Sequence, residues 1–468
     1  MMLWVEFYDC VRALRSACTR KRTFSWMLLA IACMLARPDL AGVTSFVRAG
    51  WLTERCYRRL LGLFHSPALQ LGALTACWIK LVLKLFTPVT INGYRVCVGD
   101  GLKVPKEGRK MPAVKSLHNS SSDNSKPQFI MGHSFQAISL LVEGIKGVVY
   151  AVPLVSRITE GLVFCNADRR TLLDKFVSLF HSLCPLFDGP LLLVADAYYA
   201  SRKIIRPLLL DGHQLVTRVR INAVAYYPAP TPKVRRRGRP RLYGRKVRLR
   251  ALFRQRDKFS SLPSPLYDDK DVVIQCRTLD LLWKPAARLV RFVLVIHPTR
   301  GRIILMCTDT DIEPLAIVKV YGLRFKIELG FKQAIHTLGA YAYHFWMMAM
   351  FPIKRCSGNQ HLHHKSAQYR RAVLRKMGAY HRYVQLGCIA QGLLQHLALN
   401  HRTTVWQSFR SWLRTMKPEL PPSELVVTIA LRTSLPEFLL SGVQALELRK
   451  MLADNAEPAR MPEWQLAA

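Results

Sequence analysis

Five consecutive apolar residues, Leu191–Ala195, run directly into a single carboxylate, Asp196. A segment this short and this uniformly apolar has no polar face to turn toward water. It fits a strand covered on both sides, the kind found inside parallel sheets. The flanking segments carry the helical pattern such a strand needs, Arg170–Leu183 before it and Tyr198–Leu210 after it. Gly212 stops the second helix, and Gln214–Arg220 reads as a further strand bearing Arg218 and Arg220. Upstream, Tyr94–Val98 is a β-rich run that closes on Gly99 and Asp100. Beyond a polar loop, His118–Lys126, the segments Ser134–Val142 and Gly147–Val152 are two more strand candidates. The order strand-strand-strand-helix-strand-helix-strand predicts an α/β fold on a mixed sheet.

The rest of the chain surrounds this pattern. Residues 1–88 read as helices over Thr23–Leu35, Leu40–Ala49 and Thr53–Phe64, punctuated by Pro38, Gly50 and Pro67. Thr53 is a candidate N-cap, and Arg55, Arg58 and Arg59 follow it, so this stretch is either a helix-turn-helix reader of DNA or a bundle with a basic outer face. Between 221 and 288 the composition shifts to prolines followed by KVRRRGRPRLYGRKVRLR, Lys233–Arg250, in which Arg235, Arg236, Arg237, Arg239 and Arg241 stand with no acidic residue among them. Arg237-Gly238-Arg239-Pro240 has the form of an AT-hook core, and a basic β-hairpin lying on phosphates is the reading preferred for the run. Strands resume at Leu289–Ile296 and Ile303–Met306. A helical region then runs to about Met350, another covers Ala367–Leu399, and a Pro-punctuated, peripheral segment follows from Leu420.

Charge narrows the partners. Lys and Arg number 69 against 30 Asp and Glu, a formal charge of +39, and so strong a self-repulsion calls for a polyanion, most simply nucleic acid. The 12 cysteines include no CxxC pair, which excludes zinc-ribbon and thioredoxin-like spacings and points to free thiols in a reducing compartment. Glu6 and Asp9 precede any long apolar run, unlike a secretory signal, and Leu69–Phe86 is interrupted by Gln70, Lys80 and Lys84, so no membrane association is expected. His361, His363 and His364 have no carboxylate or cysteine spaced to complete a metal site.

One further stretch stands out in a chain so poor in acid. Tyr321–Gln333 reads YGLRFKIELGFKQ, and on one continuous helix Tyr321, Arg324, Glu328 and Lys332 would share a face. Asp100 and Asp196 close apolar strands, and Glu328 follows the last strand of the sheet. Strand ends are where sites gather in α/β folds. Carboxylate oxygens are the hard donors that Mg²⁺ prefers, and carboxylate-bound ions suit the cutting and joining of phosphodiesters.

Taken with GDGLKVPKEG around Asp100 and LLLVADAYYAS around Asp196, the spacing Tyr321, Arg324, Glu328 resembles the signature of DDE-type transposases of bacterial insertion sequences. The likeness covers roughly residues 20–400, and Ile335 stands where that group carries a further Lys. The resemblance implies a ribonuclease H-like mixed sheet with flanking helices, a helical N-terminal domain and a basic strand-rich insertion between the second Asp and the Glu. It divides the chain into a DNA-binding region at 1–88, a catalytic core at 89–220 and 289–350, the insertion at 221–288 and a helical C-terminal region at 351–468. It also implies that Asp100, Asp196 and Glu328 ligate Mg²⁺, with Mn²⁺ able to substitute. Tyr321, Arg324, Lys332, Arg218, Arg220 and the arginines of the basic run would then face DNA. The implied partners are double-stranded DNA, as terminal inverted repeats and target, and a second copy of the chain on that DNA, in the bacterial cytoplasm at the nucleoid. The alternative reading is a catalytically inactive, transposase-derived DNA-binding protein. Asp309, just before the signature helix, is the rival third carboxylate and reads as a turn residue.

Overall fold

The computed structural model describes residues 2–118, 127–230, 241–266, 269–412, 416–440 and 446–460. In chain order, five helices come first: α1 (Met2–Arg12), α2 (Lys21–Ala36), α3 (Thr44–Ala49), α4 (Arg55–His65) and α5 (Leu71–Leu85). Strands β1 (Thr90–Ile91), β2 (Tyr94–Pro105), β3 (Lys115–His118), β4 (Phe129–Glu143), β5 (Val149–Ile158) and β6 (Leu162–Val163) follow. The α/β alternation is α6 (Leu172–His181), β7 (Leu191–Ala195), α7 (Arg202–Leu210) and β8 (Gln214–Arg218). Next come β9 (Val224–Pro228), β10 (Tyr243–Arg248), α8 (Leu249–Leu252), β11 (Ser260–Pro263), β12 (Val273–Trp283), β13 (Arg288–His297) and β14 (Gly301–Cys307). The chain closes with α9 (Pro314–Leu323), α10 (Phe325–His336), β15 (Gln360–His361), α11 (Ala367–Asn400), α12 (Arg402–Ser408), α13 (Glu424–Leu440) and α14 (Leu446–Ala453).

Two compact units share these elements. One is formed by Met1–Thr87, Gly101–Arg169 and Glu328–Ala468, the other by Pro88–Asp100 and Arg170–Ile327. The second unit holds a large mixed sheet in the order β10-β9-β12-β13-β14-β8-β7-β2, with β1 added to β2 and β11 to β12. Strands β2, β7 and β8 run parallel, whereas β14 pairs antiparallel with β8, and β13, β12, β9 and β10 continue antiparallel. Every residue of β7 is buried, as its unbroken apolar sequence requires. Helix α6 opens on a capping box, with Asp174 Oδ2 accepting from the Thr171 N–H at 2.6 Å, and α7 starts behind Ser201, whose hydroxyl accepts from the Lys203 N–H at 3.3 Å.

The first unit is mainly helical. Helix α2 is buried continuously from Phe24 to Ala36, and α11 is buried over nearly all of its second half, so both are core helices rather than amphipathic surface ones. Strand β5 pairs antiparallel with β4 with a register shift between Ile138 and Ser139, opposite Pro153, which has no N–H to give the ladder. The Pro153 carbonyl accepts instead from Trp78 Nε1 of α5 at 2.8 Å. Helix α4 buries Cys56, Leu60, Leu63 and Phe64, while Arg55, Arg58 and Arg59 are exposed. Its first turn follows Glu54 with no side-chain cap, so Thr53 does not play the capping role expected of it. All twelve cysteines are free thiols. Among the described residues no helix is long and apolar enough to cross a membrane.

Four expectations are corrected. Strand β2 does not end at Asp100 but continues to Pro105, because Gly99 and Gly101 are accommodated within the strand rather than breaking it. The signature stretch is two helices, not one: α9 ends at Leu323 and α10 begins at Phe325, with Arg324 between them. The helical region after Glu328 ends at His336 instead of near Met350, since Gly339 takes a left-handed backbone with φ 62° and the chain beyond it is irregular. The segment from Leu420 is not peripheral. Helix α13 buries Val427, Ala430, Leu431 and Phe438 completely, and the Leu431 carbonyl accepts from Trp4 Nε1 at 3.1 Å. The loop His118–Lys126 lies outside the described residues except for His118, and so does the AT-hook-like tetrapeptide.

Candidate active site

The site is set by strand register. Gly99 of β2 pairs with Ala195 of β7, and Ala195 pairs with Thr217 of β8, both in parallel. The residue after each pairing position is therefore Asp100, Asp196 and Arg218, placed side by side at the carboxyl ends of the paired segments. Neighbouring strands are about 4.8 Å apart, so the two carboxylates begin from adjacent backbone positions. Asp196 ends β7, and its carbonyl accepts from Thr217 Oγ1 at 2.9 Å and from the Tyr199 N–H at 2.9 Å. These bonds fix the turn that follows the strand.

Gly99 is required by packing. A Cβ at this position would lie 2.5 Å from Cζ of Phe176 on α6, a distance that real contacts do not reach. The Phe176 ring in turn packs at a tilt of 58° against Tyr199, centroids 4.7 Å apart, in the turn after Asp196. Helix α6 thus supports both aspartates from below, and the absence of a side chain at Gly99 lets it approach.

Helix α9 brings in the cations. Its face Ile317, Val318, Val320 and Leu323 is buried, which directs Tyr321 and Arg324 as a pair. Arg324 Nη1 donates to Asp100 Oδ2 at 2.9 Å, with side chains only 17% and 20% exposed, so the ion pair is shielded from solvent. The break between α9 and α10 falls at this residue, where the Arg324 N–H bonds Tyr321 O at 3.1 Å and the Ile327 N–H bonds Arg324 O at 3.2 Å, tightening the turn. The Tyr321 phenol is pushed up to about 12, chiefly by burial and also by the Asp196 charge, against the opposing pull of Arg324 and Arg218. It keeps its proton at neutral pH. The charges of Asp196, Arg218 and Arg324, three residues singled out from sequence, are thus all felt at the Tyr321 phenol.

Glu328 is in the first turn of α10, exposed, and belongs to the other unit, as does the exposed Lys332 one turn further on. Arg218 and Arg220 are exposed. Arg241 is exposed too, with its Nε donating to the Tyr243 carbonyl at 2.7 Å, whereas Arg235, Arg236, Arg237 and Arg239 lie outside the described residues. Asp309 follows β14 at the end opposite Asp196: Cys307 pairs with Val216, so Asp309 lies level with the start of β8, where its carboxylate accepts from the Asp311 N–H at 2.8 Å and from the Tyr94 hydroxyl. It is a turn residue. Sequence reasoning missed the Arg324–Asp100 pair and the support of Gly99 by Phe176, because both join residues far apart in the chain with no periodic signal.

The comparisons with known proteins now bear on this geometry. The family model for the DDE superfamily endonuclease matches residues 6–266, more than half of the 468 residues. The chain belongs to that family. The matched span includes Asp100 and Asp196 of this DDE endonuclease but stops short of Tyr321, Arg324 and Glu328. No curated protein matches the chain. Among solved structures it is similar to a piggyBac transposase, determined by cryo-EM as a synaptic complex with hairpin DNA, at 12% identity and a TM-score of 0.36 over 94% of this chain and 78% of that one.

Proposed function

We propose that this DDE endonuclease is a transposase that binds the ends of an insertion sequence, hydrolyses phosphodiesters there and joins the freed 3′ hydroxyls to target DNA. The observation that carries the reading is the side-by-side placement of Asp100 and Asp196 on parallel strands, with Arg324 bonded to Asp100. The donor set fits a hard divalent cation: both aspartates offer carboxylate oxygens, and the bond from Arg324 shows that Asp100 takes a cationic partner. Asp100, Asp196 and, on the sequence signature alone, Glu328 would hold Mg²⁺, with Mn²⁺ able to replace it. The ion would activate the attacking hydroxyl and stabilise the leaving 3′ oxygen.

The protein's own side chains would then orient DNA. Tyr321, a protonated phenol between charges, and Arg324 would face the cleaved end, Lys332 would meet phosphate, and Arg218 and Arg220 would extend the contact along the exposed edge. Arg235, Arg236, Arg237, Arg239 and Arg241 would add phosphate contacts and a steep salt dependence. The division into a DNA-binding region at 1–88, a split ribonuclease H-like core and an insertion at 221–288 belongs to this reading. So do a homodimer on paired terminal repeats and a place at the bacterial nucleoid, in the cytoplasm.

The second reading is an inactive DNA-binding relative, favoured by Ile335 where the signature group has Lys. Cleavage of DNA bearing the element's own ends, with and without Mg²⁺, decides between them. Wild type is expected to cut only with the ion, and Asp100→Ala, Asp196→Ala and Glu328→Ala are each expected to bind DNA without cutting it. Wild type that binds the ends but cuts under no divalent-metal condition would leave the inactive reading.

A further inference from the structure

A second cluster of potential metal ligands lies wholly within the helical unit. Glu6 on α1, His396 near the end of α11 and His401, the residue joining α11 to α12, present one oxygen and two nitrogens that all lie within 4.8 Å of one another. Among the described residues it is the one such trio of His, Cys, Asp or Glu. The carboxylate is shared: Oε1 lies 2.9 Å from His396 Nε2, and Oε2 lies 3.5 Å from His401 Nε2. Ligands held at about 2.0–2.1 Å around a tetrahedral ion stand roughly 3.3–3.4 Å from one another. The two spacings, one to each carboxylate oxygen, bracket that value, and the three ligand atoms lie within 4.8 Å of one another, so an ion would draw them together.

The surroundings are those of a metal ligand set. His396 Nδ1 lies 2.9 Å from the side-chain amide of Asn400, and with that amide turned its oxygen accepts from Nδ1–H and leaves Nε2 for a metal. The Cys10 thiol donates to Glu6 Oε1 at 3.5 Å from behind the carboxylate. Phe86 packs edge-to-face with the His396 ring, centroids 5.9 Å apart, and walls the site with apolar surface.

We propose that Glu6, His396 and His401 form a three-ligand Zn²⁺ site that clips α1 to the α11–α12 corner. Two imidazoles and one carboxylate suit Zn²⁺ better than Mg²⁺, which favours oxygen alone and keeps its water. The fourth position is left to water, and the clip joins the first helix to a corner almost four hundred residues later in the chain. The site is separate from the proposed DNA-cutting carboxylates, and its test does not depend on them.

The test uses the full chain, stripped with chelator, loaded with Zn²⁺ alone, dialysed and assayed for zinc by mass spectrometry. His401→Gln changes a partly exposed side chain, and Asp100→Ala/Asp196→Ala removes any zinc held by the other carboxylates. The double-aspartate variant is expected to retain one zinc per chain, to lose it when His401→Gln is added, and to melt higher with zinc only while His401 is present. Equal zinc content with and without His401→Gln overturns the proposal and leaves a hydrogen-bonded Glu–His cluster. Should the His401 variant not fold, Co²⁺ bound to the double-aspartate variant decides. Strong visible absorption of a tetrahedral nitrogen and oxygen site supports the clip, and its absence overturns it.

Discussion

Glu424 is a buried carboxyl in the helical core. It opens α13 with only 9% of its surface exposed, and its carboxyl meets two amides: Gln395 Nε2 at 2.9 Å and Gln391 Nε2 at 3.2 Å. Burial raises it from 4.5 to about 7, and the amide hydrogen bonds recover only part of the loss. Gln395 Oε1 is buried without a hydrogen-bond partner, and a protonated Glu424 supplies a donor where a carboxylate has none. The sign follows directly. Between the unfolded and folded values the unfolded chain has released its proton and the folded chain has kept it, so stability falls as pH rises through that window and levels off above about 7. A shift of that size corresponds to about 3 kcal/mol, at 1.4 kcal/mol per unit. Glu424→Gln keeps the shape and the amide contacts and removes the titration. In urea titrations at fixed ionic strength from about pH 5 to about pH 8.5, the variant is expected to gain on wild type by about 3 kcal/mol as pH rises, because the other titrating groups cancel in the difference. A difference that stays constant across this range refutes the reasoning.

Two further predictions concern the support of the site. Arg324→Ala removes the 2.9 Å bond to Asp100 and should slow metal-dependent cleavage by about 10- to 100-fold at saturating DNA, as measured by single-turnover cleavage; an unchanged cleavage rate would show that the pair does not position Asp100. Gly99→Ala drives a Cβ to 2.5 Å from Phe176 and should cost about 1–3 kcal/mol, read as a lower unfolding midpoint, and Phe176→Leu in the same chain should recover part of it. A midpoint equal to wild type would mean that α6 yields without cost.

Much of the α/β unit was legible because its signals are local. Leu191–Ala195 is the observed strand residue for residue, since an unbroken apolar run can only be buried on both faces. Asp196 follows it as read, and Asp100 sits beside it because the two strands pair in parallel. The extension of β2 past Asp100 was not legible: two glycines read as breakers, while Gly99 lies within the strand and admits the Phe176 ring. The junction at Arg324 was hidden for the opposite reason. YGLRFKIELGFKQ contains no proline to mark a break, and the residue at the break, Arg324, bonds Asp100 across more than two hundred residues of sequence. The segment holding α13 read as peripheral because prolines punctuate it, although the helix buries Val426, Val427, Ala430, Leu431, Leu435 and Phe438 in the core. The Glu6, His396 and His401 trio was invisible, as no spacing rule links the first helix of a chain to its eleventh.

The central claim is that Asp196 holds a divalent ion for phosphodiester chemistry, and Asp196→Cys tests it most directly, because a thiolate binds softer Mn²⁺ better than hard Mg²⁺. Cleavage of DNA carrying the element's ends should be lost in Mg²⁺ and partly restored in Mn²⁺. Cleavage in Mg²⁺ equal to wild type would contradict the assignment.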